Sequence, residues 1–130
     1  MNRSVARGHP MKTINWFEIF VTDMPRAVKF YEETLRIKLE LKEFGGELNA
    51  LFESGNGGGC LIVRKGRTPS AEGVLLYMNC DGKLDAVLAR VEQAGGKIVS
   101  GKESIGPMGF VAMINDSEGN LVGLHESAPS

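Results

Sequence analysis

Residues 26–39, RAVKFYEETLRIKL, can be laid over residues 85–98, DAVLARVEQAGGKI, at an offset of 59. Few residues are identical, yet the apolar positions keep the same phase, and the segments around them follow the same order. Such self-similarity at a fixed spacing identifies a repeated structural unit, which constrains a fold more tightly than local propensity does.

Working outward from the first copy, INWFEIFVTD (residues 14–23) has the β-branched and aromatic density of a strand. Asp23 then caps a helix with Pro25 in its first turn, where a missing N–H costs little. Met24, Val28, Tyr31 and Leu35 share one face of that helix. IKLELKEF, ELNALFE and CLIVRKG follow as strands, separated by Gly45-Gly46 and by SGNGGG. In the second copy VLLYMNC is a strand, and LDAVLARVEQA is a helix with Leu84, Leu88 and Val91 on one face, ending at Gly95-Gly96. GKIVSGKE, GFVAMIN and NLVGLHE are three more strands. A shift of 61 aligns CLIVRK with LVGLHE. Each module therefore reads strand, helix, strand, strand, strand, an α+β chain of two tandem βαβββ modules.

One helix covers only one face of four strands. Phe17, Ile19 and Val21 in the first module, with Leu76, Met78 and Cys80 in the second, form the face expected under the helices. The opposite face carries Trp16, Glu18 and Phe20 in one module and Leu75, Tyr77 and Asn79 in the other. Its mixed character suits the wall of a cavity better than a solid core.

A chain of 130 residues is the size of one domain that needs no disulfide or structural metal. The formal net charge of -1 gives no electrostatic footprint for nucleic acid, which leaves a small molecule or another protein as partner. Cys60 and Cys80 lie in apolar runs outside any metal-finger spacing and read as free thiols in a reducing compartment. The apolar runs are too short for a membrane span, and residues 1–10, MNRSVARGHP, lack a signal peptide's apolar segment. These features point to the cytoplasm. Residues 1–10 read as a flexible extension, 11–126 as one domain (modules 11–66 and 73–126) and 127–130 as a tail.

WFEIFVTDMPRAVKFYEETL, LDAVLARVEQAGGKI and GPMGFVAMINDSEGNLVGLHE, with its acidic DSEGN turn before the last strand, resemble the vicinal oxygen chelate superfamily. That superfamily holds glyoxalases, bleomycin-resistance proteins, fosfomycin-modifying enzymes and extradiol dioxygenases. The resemblance spans residues 11–126 and implies a partly open eight-stranded barrel around a cavity. It also implies a homodimer whose sites can draw on both chains. The family's divalent metal is held by His or Glu on the first and last strand of each module. Carried over, those places fall on Trp16, Ile62, Leu75 or its neighbour, and Gly123; none is a ligand, and VLLYMN offers no His or acid at any register. A catalytic metal wants about three protein ligands, so neither a metal nor another cofactor is expected, and glyoxalase I or dioxygenase activity is disfavoured.

Two residues further along each strand, the same face presents Glu18, Arg64, Tyr77 and His125. In a catalytic reading Glu18 is a general base and His125 a proton carrier, while Arg64 clamps an anion and Tyr77 donates a hydrogen bond. Trp16, Phe20 and Phe52 would supply aromatic walls. In the structural alternative, Glu18 pairs with Arg64 or His125 only to satisfy partly buried charge. Two function classes follow. One is a metal-independent lyase, isomerase or hydrolase of a small metabolite; the other is a binding protein that sequesters a small molecule, as bleomycin-resistance proteins do.

Overall fold

The computed structural model describes residue 14, residues 16–53 and residues 58–129. The elements, in order, are β1 (Trp16–Phe20), α1 (Met24–Leu35), β2 (Glu40–Phe44), β3 (Glu47–Leu51) and β4 (Gly58–Ile62), then β5 (Tyr77–Asn79), α2 (Leu84–Val91), β6 (Lys97–Ser104), β7 (Phe110–Asn115) and β8 (Leu121–Glu126), with a short 3-10 turn at Gly106–Met108. They form two four-stranded sheets of identical topology, β1-β4-β3-β2 and β5-β8-β7-β6. In each, the first and last strands run parallel and the others antiparallel. This is the expected α+β duplication, and the two sheets are not closed into a continuous barrel. No helix among the described residues is long and apolar enough to cross a membrane. The proposed extension at residues 1–10 and most of SGNGGG lie outside the described residues.

Backbone pairing corrects the alignment of the last strands. Val21 N–H donates to the Ile62 carbonyl, and Cys80 N–H donates to the His125 carbonyl. Val21 and Cys80 are related by the offset of 59, so Ile62 matches His125, an offset of 63 rather than 61. Glu18 pairs with Cys60, and its counterpart Tyr77 pairs with Gly123. A slip of two residues keeps every side chain on its original face, so apolar periodicity could not distinguish the two registers.

One core serves both modules. Ile19, Val21, Phe30, Tyr31 and Leu61 from the first pack with Leu84, Val87, Val91, Ile114 and Leu124 from the second. Cys80 is buried in that core, as packing would require, and both cysteines are free.

The second module also completes both ends of α1. At its start, Asp23 accepts from Arg26 N–H at 3.0 Å, and Pro25 stands in the first turn. The fully covered carboxylate of Glu118, from the turn before β8, accepts from Thr22 N–H at 3.2 Å and Asp23 N–H at 3.0 Å, and from Arg26 Nε at 2.6 Å. A carboxylate there complements the orphan donors and the positive end of the helix dipole. At the other end, Arg90 Nη2 donates to the Thr34 carbonyl at 2.9 Å and Lys83 Nζ to the Leu35 carbonyl at 3.2 Å. Tyr31 Oη donates to Asp116 Oδ2 at 2.6 Å within the shared core. The DSEGN turn is thus a structural clamp between modules. Burial alone pushes the Glu118 carboxyl up, but the Arg26 guanidinium and the Asp23 and Thr22 amides prevail, holding it down at about 2.

Candidate functional site

The face away from the helices carries the residues singled out in the sequence, and the structure divides them between two sheets. On the first sheet, Glu18 points from β1, and Arg64 stands two residues beyond the end of β4. Arg64 Nη1 donates to Glu18 Oε1 at 2.8 Å and Nη2 to Oε2 at 3.3 Å. The same guanidinium grips Glu47 of β3, with Nε to Oε2 at 2.7 Å and Nη2 to Oε1 at 3.0 Å. Two carboxylates therefore occupy four of the five guanidinium donors. Hydrogen bonds and charge from Glu47 and Glu18 push the Arg64 pKa up, while the hydrogen bond from Arg64 holds Glu47 below the usual carboxylate range. Such a guanidinium has little left with which to clamp a ligand anion, and Glu18 is held as an ion-pair partner.

Glu47 was absent from the sequence-derived set. The two-residue turn at Gly45-Gly46 fixes its register against β2, Phe44 opposite Glu47. Its register against β4 depends on the Gly-rich connection, whose length follows no periodicity.

On the second sheet, Tyr77 is half exposed, and its ring closely covers Gly123. A Cβ added at Gly123 would sit 2.5 Å from Tyr77 Cδ2. Glycine is required here by close approach, because any larger residue would displace the ring. Around it, Ile105, Met108, Val111 and His125 line a depression of about 420 Å³. His125 Nε2 is 2.7 Å from the Met108 carbonyl oxygen. A carbonyl only accepts, so Nε2 carries the proton and His125 secures the 3-10 turn against the sheet. Met108 is 66% exposed at the rim of that depression.

The two pairs do not meet within one chain. Among the described residues no hydrogen bond or ion pair joins Glu18 or Arg64 to Tyr77 or His125. Glu18 and Phe20 line a separate cavity of about 520 Å³. The four-residue layer is thereby corrected to two sites on two sheets, and Arg64 is matched by Ser127 rather than by His125. Trp16 and Phe52 line a third depression with Lys38, Glu40 and Leu51. Trp16 is half exposed, whereas the Phe52 ring also packs toward the helix side, 5.5 Å from Phe17 and 5.7 Å from Tyr31. Phe52 is thus part core and only part wall.

The metal that the resemblance implies would need its donors at four places on the open faces. The corrected register moves one of the four places from Ile62 to Cys60, the counterpart of Gly123. Cys60 is fully buried and donates its thiol to Asn49 Oδ1 at 3.3 Å. Burial and the nearby Glu18 carboxylate push that thiol up to about 11, which keeps it protonated. Trp16, Cys60, Leu75 and Gly123 together offer one protonated thiol, and Gly123 is covered by the Tyr77 ring. Among the described residues no three His, Cys, Asp or Glu side chains converge on a point that could hold a metal. The residues do not fit the group.

The model of the Glyoxalase/Bleomycin resistance protein/Dioxygenase superfamily matches residues 13–124. Among solved structures, a glyoxalase-related enzyme from Fulvimarina pelagi aligns with a TM-score of 0.70 at 12% identity, covering 90% of this chain and 89% of that one. TnmS3, an antibiotic binding protein from Streptomyces sp. CB03234, aligns with a TM-score of 0.65 at 25% identity, covering 92% and 99%. A glyoxalase/bleomycin resistance protein from Albidiferax ferrireducens T118 aligns with a TM-score of 0.65 at 19% identity, covering 88% and 99%. A comparison with curated proteins gave no match. With the family model spanning both modules and the paired four-stranded sheets agreeing with it, the chain belongs to the glyoxalase/bleomycin resistance protein/dioxygenase superfamily.

Proposed function

We propose that this protein binds and sequesters an apolar, ring-bearing small molecule on the open face of its second sheet, without turning it over. The observation that carries this reading is the Tyr77 ring seated on Gly123 beside Ile105, Met108 and Val111. An exposed aromatic surface braced from below offers a planar ligand offset stacking at little conformational cost. The depression of about 420 Å³ falls in the size range of small-molecule sites. Similarity to an antibiotic binding protein adds support for a binding role.

The catalytic alternative draws less support. Glu18 is held bidentately by Arg64, and His125 spends its Nε2 proton on Met108. The Nε2–H tautomer leaves the lone pair of His125 on Nδ1, but in a single chain Glu18 and His125 line different cavities, so the two do not converge on one substrate proton.

The same reading includes a homodimer. Trp16, Phe44, Tyr77 and Met108 leave large apolar side chains exposed on the two open faces, and such surface supports an interface. Placing the first-module face of one copy over the second-module face of another would cover it and close the Tyr77 platform.

Fluorescence titration with anilinonaphthalene sulfonate tests the binding site, with Tyr77→Ala expected to weaken the probe about tenfold. Unchanged probe affinity in that variant would remove the platform. Light scattering tests the dimer, for which the expected mass is twice that of the chain. If a substrate is found, Glu18→Gln and His125→Ala separate the two functions: loss of turnover would mean an enzyme, and altered affinity alone a binder.

A further inference from the structure

The segment between the modules carries chemistry that neither sheet face uses. It forms one wall of the 520 Å³ cavity, where Glu18, Phe20, Arg67, Ser70, Glu72 and Leu121 surround a space at the junction of the two sheets. The segment is braced along its length. Arg67 N–H donates to the Arg64 carbonyl at 3.1 Å, closing a turn through Gly66, whose φ of 86° suits glycine. Ser70 N–H donates to Asn120 Oδ1 at 2.8 Å, and Asn120 Nδ2 donates onward to the Phe20 carbonyl at 2.9 Å. Glu72 N–H donates to Ser70 Oγ at 2.9 Å. Arg67 and Glu72 are therefore held on a fixed strap.

Charges of both signs remain uncompensated around this cavity. The Arg67 guanidinium lies over the Phe20 ring, 5.1 Å from its centroid, and has no carboxylate partner among the described residues. The cation–π contact holds the guanidinium at the cavity wall, with its N–H donors available to a carboxylate. Glu72 likewise has no cationic partner among the described residues. Glu18 lines the same cavity, and its Oε2 accepts a single long bond, 3.3 Å from Arg64 Nη2, so a second acceptor position on that oxygen stays open. Phe20, Leu76 and Leu121 supply an apolar floor.

We propose that this cavity binds a small zwitterion of the free amino-acid type with an apolar side chain. Its carboxylate pairs with Arg67, its ammonium lies between Glu72 and Glu18, and its side chain rests on Leu121 and Phe20. A simple anion would meet two carboxylates and a simple cation would meet Arg67, so only a ligand carrying both charges is matched at each end. The site is distinct from the Tyr77 platform, and the proposal stands independently of the function above.

The test is an amide NMR titration of the full chain with L-leucine, against isoamylamine and isocaproate, each of which keeps one of its two charges. Saturable shifts at Gly66, Thr68, Ser70 and Leu121 are expected, with Tyr77 and Val111 unmoved and both single-charge analogues about tenfold weaker. Arg67→Ala and Glu72→Gln should each weaken leucine about tenfold at unchanged melting temperature, since both side chains are exposed. Absence of saturation at millimolar leucine would overturn the proposal, as would equal binding of either analogue or shifts confined to Tyr77 and Val111. Because the two sites are read at different amides, failure here leaves the platform reading intact.

Discussion

The two open faces derive from one repeated unit, yet they have diverged in opposite directions. At equivalent positions, the first sheet has Glu18 opposite Cys60 and the second has Tyr77 opposite Gly123. On the first sheet the glutamate is drawn into a three-member charge cluster with Arg64 and Glu47. On the second, the ring lies down over the missing side chain and becomes a surface. The difference teaches that a shared backbone register fixes where a side chain starts. What stands across from it decides whether it becomes a neutralised ion pair or a platform.

The sharpest way to break this contrast is to give the second sheet a side chain where it has none. Gly123→Ala places a Cβ 2.5 Å from Tyr77 Cδ2, closer than van der Waals contact allows, so the ring must shift away. Probe affinity should fall by about thirtyfold, roughly 2 kcal/mol, by fluorescence titration, while Glu18→Gln should change it less than about threefold. Equal losses from the two substitutions would mean that the faces are not functionally different.

A second perturbation should act on both faces together, because both depend on the Glu118 clamp. The Glu118 carboxyl is held at about 2 when folded, below its ordinary 4.5. A depressed folded value contributes stability above the unfolded value, and that contribution is lost as pH falls from about 4.5 toward 2. The loss should be roughly 2 kcal/mol, after allowance for solvent screening of the half-exposed Arg26. Chemical denaturation across that range checks it, and Glu118→Gln should start lower and vary less with pH.

The duplication was legible from its constant offset, and the two helices, the capping of α1 by Asp23 and Pro25 and the assignment of faces from short-range periodicity or a local cap, although α2 stops at Val91, three residues short of the expected Ala94. The grouping of site residues was not. A shift of 61 and the observed 63 place the same side chains on the same face, so His125 was matched to Arg64 when backbone pairing matches it to Ile62. Glu47 carries no sequence signal as a site residue, because its nearness to Arg64 arises across strands joined by a glycine-rich connection. The role of DSEGN was also hidden, since the partners of Glu118 lie more than ninety residues away. Sequence spacing alone cannot reveal such contacts.

Smaller effects sharpen the contrast further. Arg64→Ala removes the cation between Glu18 and Glu47 and should lower the melting temperature by about 2 °C, with recovery on adding Glu47→Gln. Its effect on the platform probe should be negligible. His125→Ala frees the Met108 carbonyl and loosens the rim of the platform, so probe affinity should drop about threefold with little change in melting.

The most direct test of the central claim, that ligand binding belongs to the second sheet's Tyr77 platform, is an amide NMR map of the full chain saturated with anilinonaphthalene sulfonate. Shifts are expected to concentrate at Tyr77, Met108, Val111 and Gly123, with Asn49, Arg64 and Arg67 unmoved. Shifts centred on the Glu18, Arg64 and Glu47 cluster, with Tyr77 and Gly123 silent, would contradict it.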